Sequence, residues 1–397
     1  MTERRAAVVG AGIFGVTAAL ALRRRGLGVT LFDPGPVPHP LAESTDISKI
    51  VRLDYGGDDE YLALMEQAMT GWRAWQSRWP EELFHEIGVA FFSRSPMAEG
   101  GFERESMARL EARGHRVQRL DGAGIHARFP AFAEGLHVDG YYNPEGGFAE
   151  SGRVVAALVR EAREIGVEVR EGHTFTGLVE EGARVLGITT REGGRFSADE
   201  VIMAAGAWTP FALPHLAGCF HAVGQPVFHL RPADPRPFEA PRFPVFGADI
   251  SRTGYYGFPA NRDGIVKIAN HGPGRRVHPS DEGPAGRVVS RDEVEALRAF
   301  LREAFPSLAE APLAATRVCV YGDTWDEHLW IARDPEREGL TVAAGGSGHG
   351  FKFAPVLGDL IADAALGVSN PFLAKFRWRP EVRPARGQEA ARRHEPG

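Results

Sequence analysis

Apolar positions along this chain change period repeatedly, and the sharpest change comes first. Ala6–Val9 is a short apolar run suited to a buried strand. Glycines follow, and apolar residues then recur at helical spacing through Ala18, Ala19, Leu20 and Leu22 until Arg23–Gly26 closes the pattern. Val29–Phe32 returns to a strand pattern. Beyond the broken loop PGPVPHPLAE and the run STDISKIVRLDY, where a helical turn would put Lys49 and Arg52 on one face, Tyr61–Trp79 reads as an amphipathic helix. Leu62, Met65, Met69, Trp72 and Trp75 lie along its core side. Leu83–Phe92 and Arg116–Leu120 read as strands, and Phe102–Arg113 and Asp121–Arg128 as helices. Gly140–Gly147 reads as a glycine-rich turn. Ser151 is placed to cap the helix GRVVAALVREAREIG. Val167–Glu171 is a strand, Arg184–Thr190 and Gly193–Ser197 a hairpin, and Glu200–Ala205 a further strand.

From Gln225 onward strand signals dominate. Pro226–Leu230 and Pro244–Phe246 read as strands, and Gly254–Pro259 and Gly264–Asn270 as a hairpin joined by NRDG. Asp292–Phe305 is a helix with Val294, Leu297, Phe300, Leu301 and Phe305 on one face. Ala314–Tyr321 and Leu340–Ala344 are strands, and Pro355–Leu366 is a closing helix. Together these predict an α/β fold with an α+β second domain built on an antiparallel sheet. Both domains are discontinuous. The first takes residues 1–82, 141–215 and 313–380, the second 83–140 and 216–312, and residues 381–397 form a flexible tail rich in Arg, Pro and Glu.

The first helix brings in chemistry. Gly10, Gly12 and Gly15 stand in G-x-G-x-x-G spacing between strand and helix, and Asp33 ends the next strand. Gly10 permits the tight turn, Gly12 lets backbone approach a pyrophosphate, and Gly15 lets the helix close onto the sheet. The helix start offers N–H groups to phosphate, and Asp33 is placed to accept from a ribose. The motif specifies a dinucleotide and leaves FAD, NAD and NADP open, although Asp33 disfavours a 2′-phosphate. Two later stretches also suit close approach of a ligand. Glu200–Ala205 runs into Ala204, Ala205, Gly206 and Trp208, and GGSGHGFKF leads into the last helix with four glycines in six residues.

Composition narrows the classes. The chain has 397 residues, 43% hydrophobic, with net charge -6 from 46 basic and 52 acidic residues well mixed. No basic stripe suggests nucleic acid, and no apolar run approaches the ~20 residues of a membrane span. Cys219 and Cys319 are the only cysteines, so no disulfide framework or cysteine-rich metal cluster is expected, and the protein reads as cytoplasmic. Asp326, Glu327 and His328 lack a second histidine at metal spacing, so no metal site is expected. A lone cysteine in a strand, as Cys319 is, ordinarily serves as a small buried hydrophobe. Lys267, in the apolar run IVKIA, points away from Val266 and Ile268, either to solvent or into a polar cavity.

Five separated features carry a resemblance that spans nearly the whole chain: GAGIFG with Asp33, SKIVRLDYG, YYGFPANRDGIVKIANH, CVYGDTWDEHLWIARDP and GGSGHGFKF. Together they resemble the FAD-dependent D-amino-acid oxidase/glycine oxidase superfamily, within it the monomeric sarcosine oxidase branch. That branch includes N-methyltryptophan, pipecolate and fructosyl-amino-acid oxidases. The resemblance implies an FAD-binding Rossmann-like first domain and a substrate-binding second domain. It implies that Gly10, Gly12, Gly15 and Asp33, with Ile13, Phe14 and Ser44, hold the ADP end. Ala205, Gly206, Trp208, Lys49 and the loop Gly346, Ser347, Gly348, His349, Gly350, Phe351 and Lys352 would lie along the rest of the cofactor, with Cys319 as its 8α-thioether anchor.

Arg52 and Lys352 resemble the pair that grips a substrate carboxylate, Lys267 the lysine that promotes reaction with oxygen, and Tyr256, His271 and His349 residues lining the substrate cavity. Lys49 departs from the arginine of sarcosine oxidases and resembles the fructosyl-amino-acid oxidases, in a run Asp46, Lys49, Arg52. The implied activity is oxidation of a small carboxylate-bearing secondary amine by molecular oxygen, in a protein expected to be a monomer.

Overall fold

Two sheets, each gathered from distant parts of the chain, carry the architecture of the computed structural model, which describes residues 3–283, 285–381, 389, 391 and 392. The first sheet has six strands in the order Trp330–Arg333, Leu340–Ala344, Glu200–Met203, Arg5–Val9, Gly28–Asp33, Glu168–Glu171. Neighbours run parallel except the first pair. Ala6, Val8 and Leu31 face a layer of helices, Ile13–Arg24, Ser151–Glu164 and Ala354–Leu366. Ala7, Val9 and Phe32 face the other way, onto the antiparallel strands Phe175–Glu181, Arg184–Thr190 and Arg195–Ser197. Burial on both faces is why the central strands read as unbroken apolar runs.

The second sheet has nine strands. Its path runs Arg275–Arg276, Phe220–Leu230, Val266–Asn270, Tyr255–Phe258, Val245–Ala248, Val89–Ser93, Asp139–Asn143, Gln118–Asp121, with Leu313–Thr324 also paired to Phe220–Leu230. Most neighbours are antiparallel; Val245–Ala248 and Val89–Ser93 are parallel. Helix Arg291–Ala304 packs Leu297, Phe300 and Leu301 with Phe228, Phe246 and Ile268 of the sheet. A capping box between Ser290 and Glu293 starts that helix. The α/β class with an α+β second domain is therefore observed.

Several local expectations differ. Lys49–Arg52 is a strand, not a helical turn, because it pairs with Gly146–Ala149 in a small sheet completed by Phe84–His85. Gly140–Gly147 is not a simple turn: Asp139–Asn143 lies in the large sheet and Gly146–Ala149 in the small one. Leu83–Phe92 splits into Phe84–His85 and Val89–Ser93, each in a different sheet. Ser151 is the first helical residue, not the cap, and its hydroxyl donates to the Asp46 carbonyl at 2.9 Å. Leu313–Thr324, grouped by sequence with the first domain, pairs along the whole length of Phe220–Leu230 in the second sheet.

Helices Ile13–Arg24 and Ala354–Leu366 touch at Gly358, where an added Cβ would sit 2.4 Å from the Thr17 carbonyl oxygen. Backbone lies on both sides, so Gly358→Val forces the helices apart. Overpacking of this kind costs about 1–3 kcal/mol, more than the few tenths that valine gains over glycine in helix propensity. Urea denaturation of Gly358→Val is expected to show a loss in that range.

Candidate active site

The glycine loop is built where three strands end together. Val9 lies between Met203 and Phe32 in register, so Gly10, Ala204 and Asp33 share one edge of the sheet. Gly10 has φ +96°, and a Cβ there would meet the Ala204 carbonyl oxygen at 2.4 Å. Helix Ile13–Arg24 then starts without a side-chain cap or an acidic residue in its first turn. Its positive end is left for an anion, and the Ile13 N–H donates to Ser44 Oγ at 3.0 Å. Asp33 is buried and accepts from Ala11 N at 2.8 Å and Gly35 N at 3.1 Å. Burial raises its carboxyl despite those bonds. A tight glycine turn, an uncapped helix start and a strand-end carboxylate form a donor and acceptor set that fits the ADP portion of a dinucleotide.

The second glycine-rich loop folds over the same helix start. Ser347 has φ +45°, accepts from Thr324 N and donates to the Gly345 carbonyl, both at 3.2 Å. The loop packs Gly348 on the Tyr321 ring, Gly350 on Phe14, and Gly346 near the Glu43 carboxyl. Glu43 also accepts from Gly322 N at 3.3 Å, and burial pushes its carboxyl up to about 7, against the pull of Lys49. Gly206 lies beside Gly322. Trp208 turns its indole N–H to Ser280 Oγ at 2.8 Å and its ring toward Arg287.

Arg52, Lys352, Tyr256, His271, His349 and Lys49 converge on one cavity, walled by apolar side chains that include Phe91, Phe246 and Ile250. Strand Lys49–Arg52 brings its two basic ends there, the hairpin of Tyr255–Phe258 and Val266–Asn270 brings Tyr256 and His271, and the second glycine loop brings the other two. Arg52 is 4% exposed and lies 4.8 Å from the centre of the Tyr55 ring. Its Nη2 donates to Glu389 at 2.7 Å, whereas Nη1 is buried without a hydrogen-bond partner among the described residues. Lys352 Nζ donates to Tyr55 Oη and the His349 carbonyl, both at 3.0 Å. Burial and then the Arg52 charge hold Lys352 well below the usual lysine range. Burial, with Lys352 adding to it, keeps His349 neutral, and burial lowers His271. Burial also pushes the Tyr256 phenol up to about 12.

Lys267 is not on this cavity. It is 1% exposed, donates to the Ser48 carbonyl at 2.5 Å and pairs with Asp46 at 2.6 Å. It thus points inward, the polar one of the two alternatives, and lines a neighbouring cleft with Asp46, Ser48 and Phe258. Burial brings Lys267 down to about 8, with Lys49 pushing the same way and Asp46 opposing. Burial would raise Asp46, but Lys267, His229, Arg317 and Lys49 outweigh it and hold the carboxylate low. Lys49 Nζ, on the first cavity, reaches Cys319 Sγ at 3.4 Å, and Cys319 is 2% exposed. Cys219 is buried in the core behind the first sheet.

Sequence reasoning missed three parts of this site. Tyr55 bridges Lys352 and His349, its hydroxyl 3.0 Å from each; it lay in the quoted run SKIVRLDYG without a role. Glu43 ends the broken proline-rich loop PGPVPHPLAE, to which no role was given. Glu389 and Arg392 fall in residues expected to form a flexible tail, yet both are buried, at 4% and 3% exposure; no local pattern marks them. Asp326, rejected as a metal ligand, forms a two-bond pair with Arg379.

A family model described as FAD dependent oxidoreductase (DAO) matches residues 5–364. An N-methyl-L-tryptophan oxidase of Salmonella dublin is 31% identical over 375 residues, spanning 93% of this chain and 97% of that protein. The N-methyl-L-tryptophan oxidase of Salmonella typhimurium is 30% identical over the same length and shares. Among solved structures, the fructosyl amine:oxygen oxidoreductase Amadoriase I of Aspergillus fumigatus superposes with a TM-score of 0.83 at 25% identity, covering 100% of this chain and 94% of that one. Fructosyl peptide oxidase from E. terrenum, at 22% identity, shares the fold with a TM-score of 0.84, over 99% and 96%. With a glycine loop, an uncapped helix and a strand-end carboxylate matched inside a family model that spans nearly the whole fold, this chain belongs to the DAO family of FAD dependent oxidoreductases.

Proposed function

We propose that this FAD-dependent oxidoreductase, which acts on CH–NH donors, oxidises secondary amino acids of the sarcosine or N-methyl amino acid type. The C–N bond becomes an imine that water hydrolyses, and oxygen takes the two electrons as hydrogen peroxide. The observation that carries this reading is the convergence of Arg52 and Lys352 on one largely apolar cavity, with the buried Arg52 Nη1 lacking a partner among the described residues. A guanidinium binds a carboxylate through two parallel bonds and an ammonium adds a point charge. Lys352, depressed by burial and by Arg52, regains a counter-charge when a carboxylate arrives.

The rest of the cavity suits an amine that must enter neutral. His349 and His271 are lowered and Tyr256 is raised, so none of them supplies an anion to hold an ammonium. The Arg52 guanidinium favours the deprotonated amine by like-charge repulsion, which frees its lone pair for C–H cleavage. FAD, when bound, supplies the hydride acceptor and the route of electrons to oxygen. Its ADP end would be held by Gly10, Gly12, Gly15, Asp33, Ile13, Phe14 and Ser44. Its other end would lie along Ala205, Gly206, Trp208 and Gly346–Lys352. Cys319 would be its covalent thioether anchor, with Lys49 Nζ 3.4 Å from its sulfur. Lys267, its ammonium supported by Asp46, would offer positive charge where oxygen becomes negative.

A fructosyl-amino-acid substrate is the second reading. Lys49 stands with Asp46 in the run that resembles those oxidases, and the fold is shared with Amadoriase I over the whole chain. A pipecolate- or proline-type substrate follows the same clamp chemistry.

An oxygen-electrode panel of sarcosine, N-methyl amino acids, pipecolate, proline and fructosyl-glycine is expected to give peroxide with at least one. Arg52→Met should raise KM for that substrate about 10–100-fold, as loss of a charge-assisted bond of about 1.5–3 kcal/mol implies; silence across the panel would remove the clamp. Acid precipitation should leave yellow flavin in the wild-type pellet and release it from Cys319→Ser. In stopped-flow measurements, Lys267→Met should slow reoxidation of the flavin by oxygen far more than its reduction by substrate, and equal slowing would count against the oxygen role.

A further inference from the structure

The Arg52 guanidinium already holds a carboxylate, and that carboxylate belongs to the C-terminal segment. Glu389 Oε1 accepts from Arg52 Nη2 at 2.7 Å, and Oε2 lies 2.9 Å from His271 Nε2. One carboxylate therefore spans two of the polar groups that line the candidate substrate cavity. The Glu389 side chain is 1% exposed and its backbone N–H donates to Glu327 Oε2 at 3.1 Å. Three residues on, Arg392 anchors the same segment. It pairs with Asp323 at 2.8 Å and Glu327 at 3.0 Å, and its Nε donates to the Gly272 carbonyl at 3.0 Å. Both anchoring carboxylates come from the stretch after Cys319, and Gly272 follows His271 directly.

This arrangement has a physical rationale. A buried guanidinium without a counter-charge is unfavourable, and Glu389 supplies that charge. The same bond puts an internal carboxylate on the guanidinium that a substrate carboxylate would use under the clamp reading. A tethered ligand competes at an effective concentration in the millimolar range, without being consumed or diluted. Apparent affinity for any carboxylate then falls by the fraction of molecules in which Arg52 and His271 are open.

Resting on the clamp reading above, we propose that Glu389 is a specificity-determining residue: an internal carboxylate that occupies the substrate's anion position and has to be displaced from Arg52 and His271 before a carboxylate-bearing amine can bind. Weak small carboxylates are thereby excluded, and substrates that gain enough contact elsewhere in the cavity are admitted.

The test titrates full-length, flavin-loaded protein with acetate and with acetamide, its uncharged counterpart. Binding is followed by calorimetry and by perturbation of the flavin absorbance. In Glu389→Gln, acetate is expected to bind at least about tenfold more tightly than in wild type, as a competent fraction of about one tenth implies. Acetamide should not change by more than about twofold on the same reasoning, since it does not compete for the guanidinium charge. A chain ending at Glu381 removes the segment altogether and should match Glu389→Gln, which decides the matter if the point variant is unstable. Equal or weaker acetate binding in both variants would overturn the proposal. Arg52→Met separates the two readings. Acetate binding that is lost in Arg52→Met but unchanged in Glu389→Gln leaves the clamp standing and removes only the internal competitor. Acetate binding indifferent to Arg52→Met removes both.

Discussion

Buried positive charge is the constraint around which this molecule is arranged. Arg52, Lys267 and Lys352 are buried and lie close together, with the half-buried Lys49 beside them. Each would be unfavourable by several kcal/mol alone in a low-dielectric interior. The fold answers with a small set of buried acids: Asp46 on Lys267, Glu389 on Arg52, and Glu43 and Asp46 near Lys49. The compensation is uneven. Lys49 gains charge stabilisation from Cys319, Tyr256, Asp46 and Glu43 that outweighs its burial, whereas Lys352 has hydroxyl and carbonyl partners and is pushed down. A lysine left in that state responds strongly to an arriving anion.

The positions of these charges follow from the small sheet. Strand Lys49–Arg52 pairs with Gly146–Ala149, which leaves the nine-stranded sheet's strand Asp139–Asn143 only three residues earlier. The strand that carries Lys49 and Arg52 is thus tied to that sheet by a short connection. The second glycine loop closes from the other side, where Trp72 fixes Lys352 through its backbone carbonyl at 2.7 Å. The Tyr55 hydroxyl then ties Lys352 to His349. Lys352 is therefore held by neutral partners, whereas Arg52 and Lys267 are held in ion pairs.

Much of this was legible in local patterns. The strand–loop–helix–strand unit at Arg5–Asp33, the helix Asp59–Gln76 with its core stripe, the hairpin around NRDG and the capped helix Arg291–Ala304 all follow from periodicity and turn chemistry. Arg52, Lys352, Tyr256, His271 and His349, which resemble substrate-site groups, line one cavity together with Lys49. Lys49–Arg52 was misread because its spacing suits a helical turn, and only pairing with Gly146–Ala149 makes it a strand. The strand after Pro312 was misassigned because chain order grouped it with the first domain, while its hydrogen bonds lie with Phe220–Leu230. Glu43 and Glu389 carried no signal, since an acidic residue in a proline-rich loop or an arginine-rich tail looks like any solvated charge.

By itself, the amino-acid sequence determined the dinucleotide loop, the alternation of strand and helix, the apolar faces and the inventory of chemical groups. These depend on neighbours within a few residues, and the chain spells them out directly. The tertiary structure alone decided which of those groups meet. It put Arg52 against Glu389, 337 residues away along the chain, and Lys49 against Cys319, 270 residues away. It also placed Lys267 in a cleft beside the cavity that holds Lys49, Arg52 and Lys352. Whether a charge is solvated, paired or left waiting for a ligand is set by what packing brings beside it, and no local pattern encodes that.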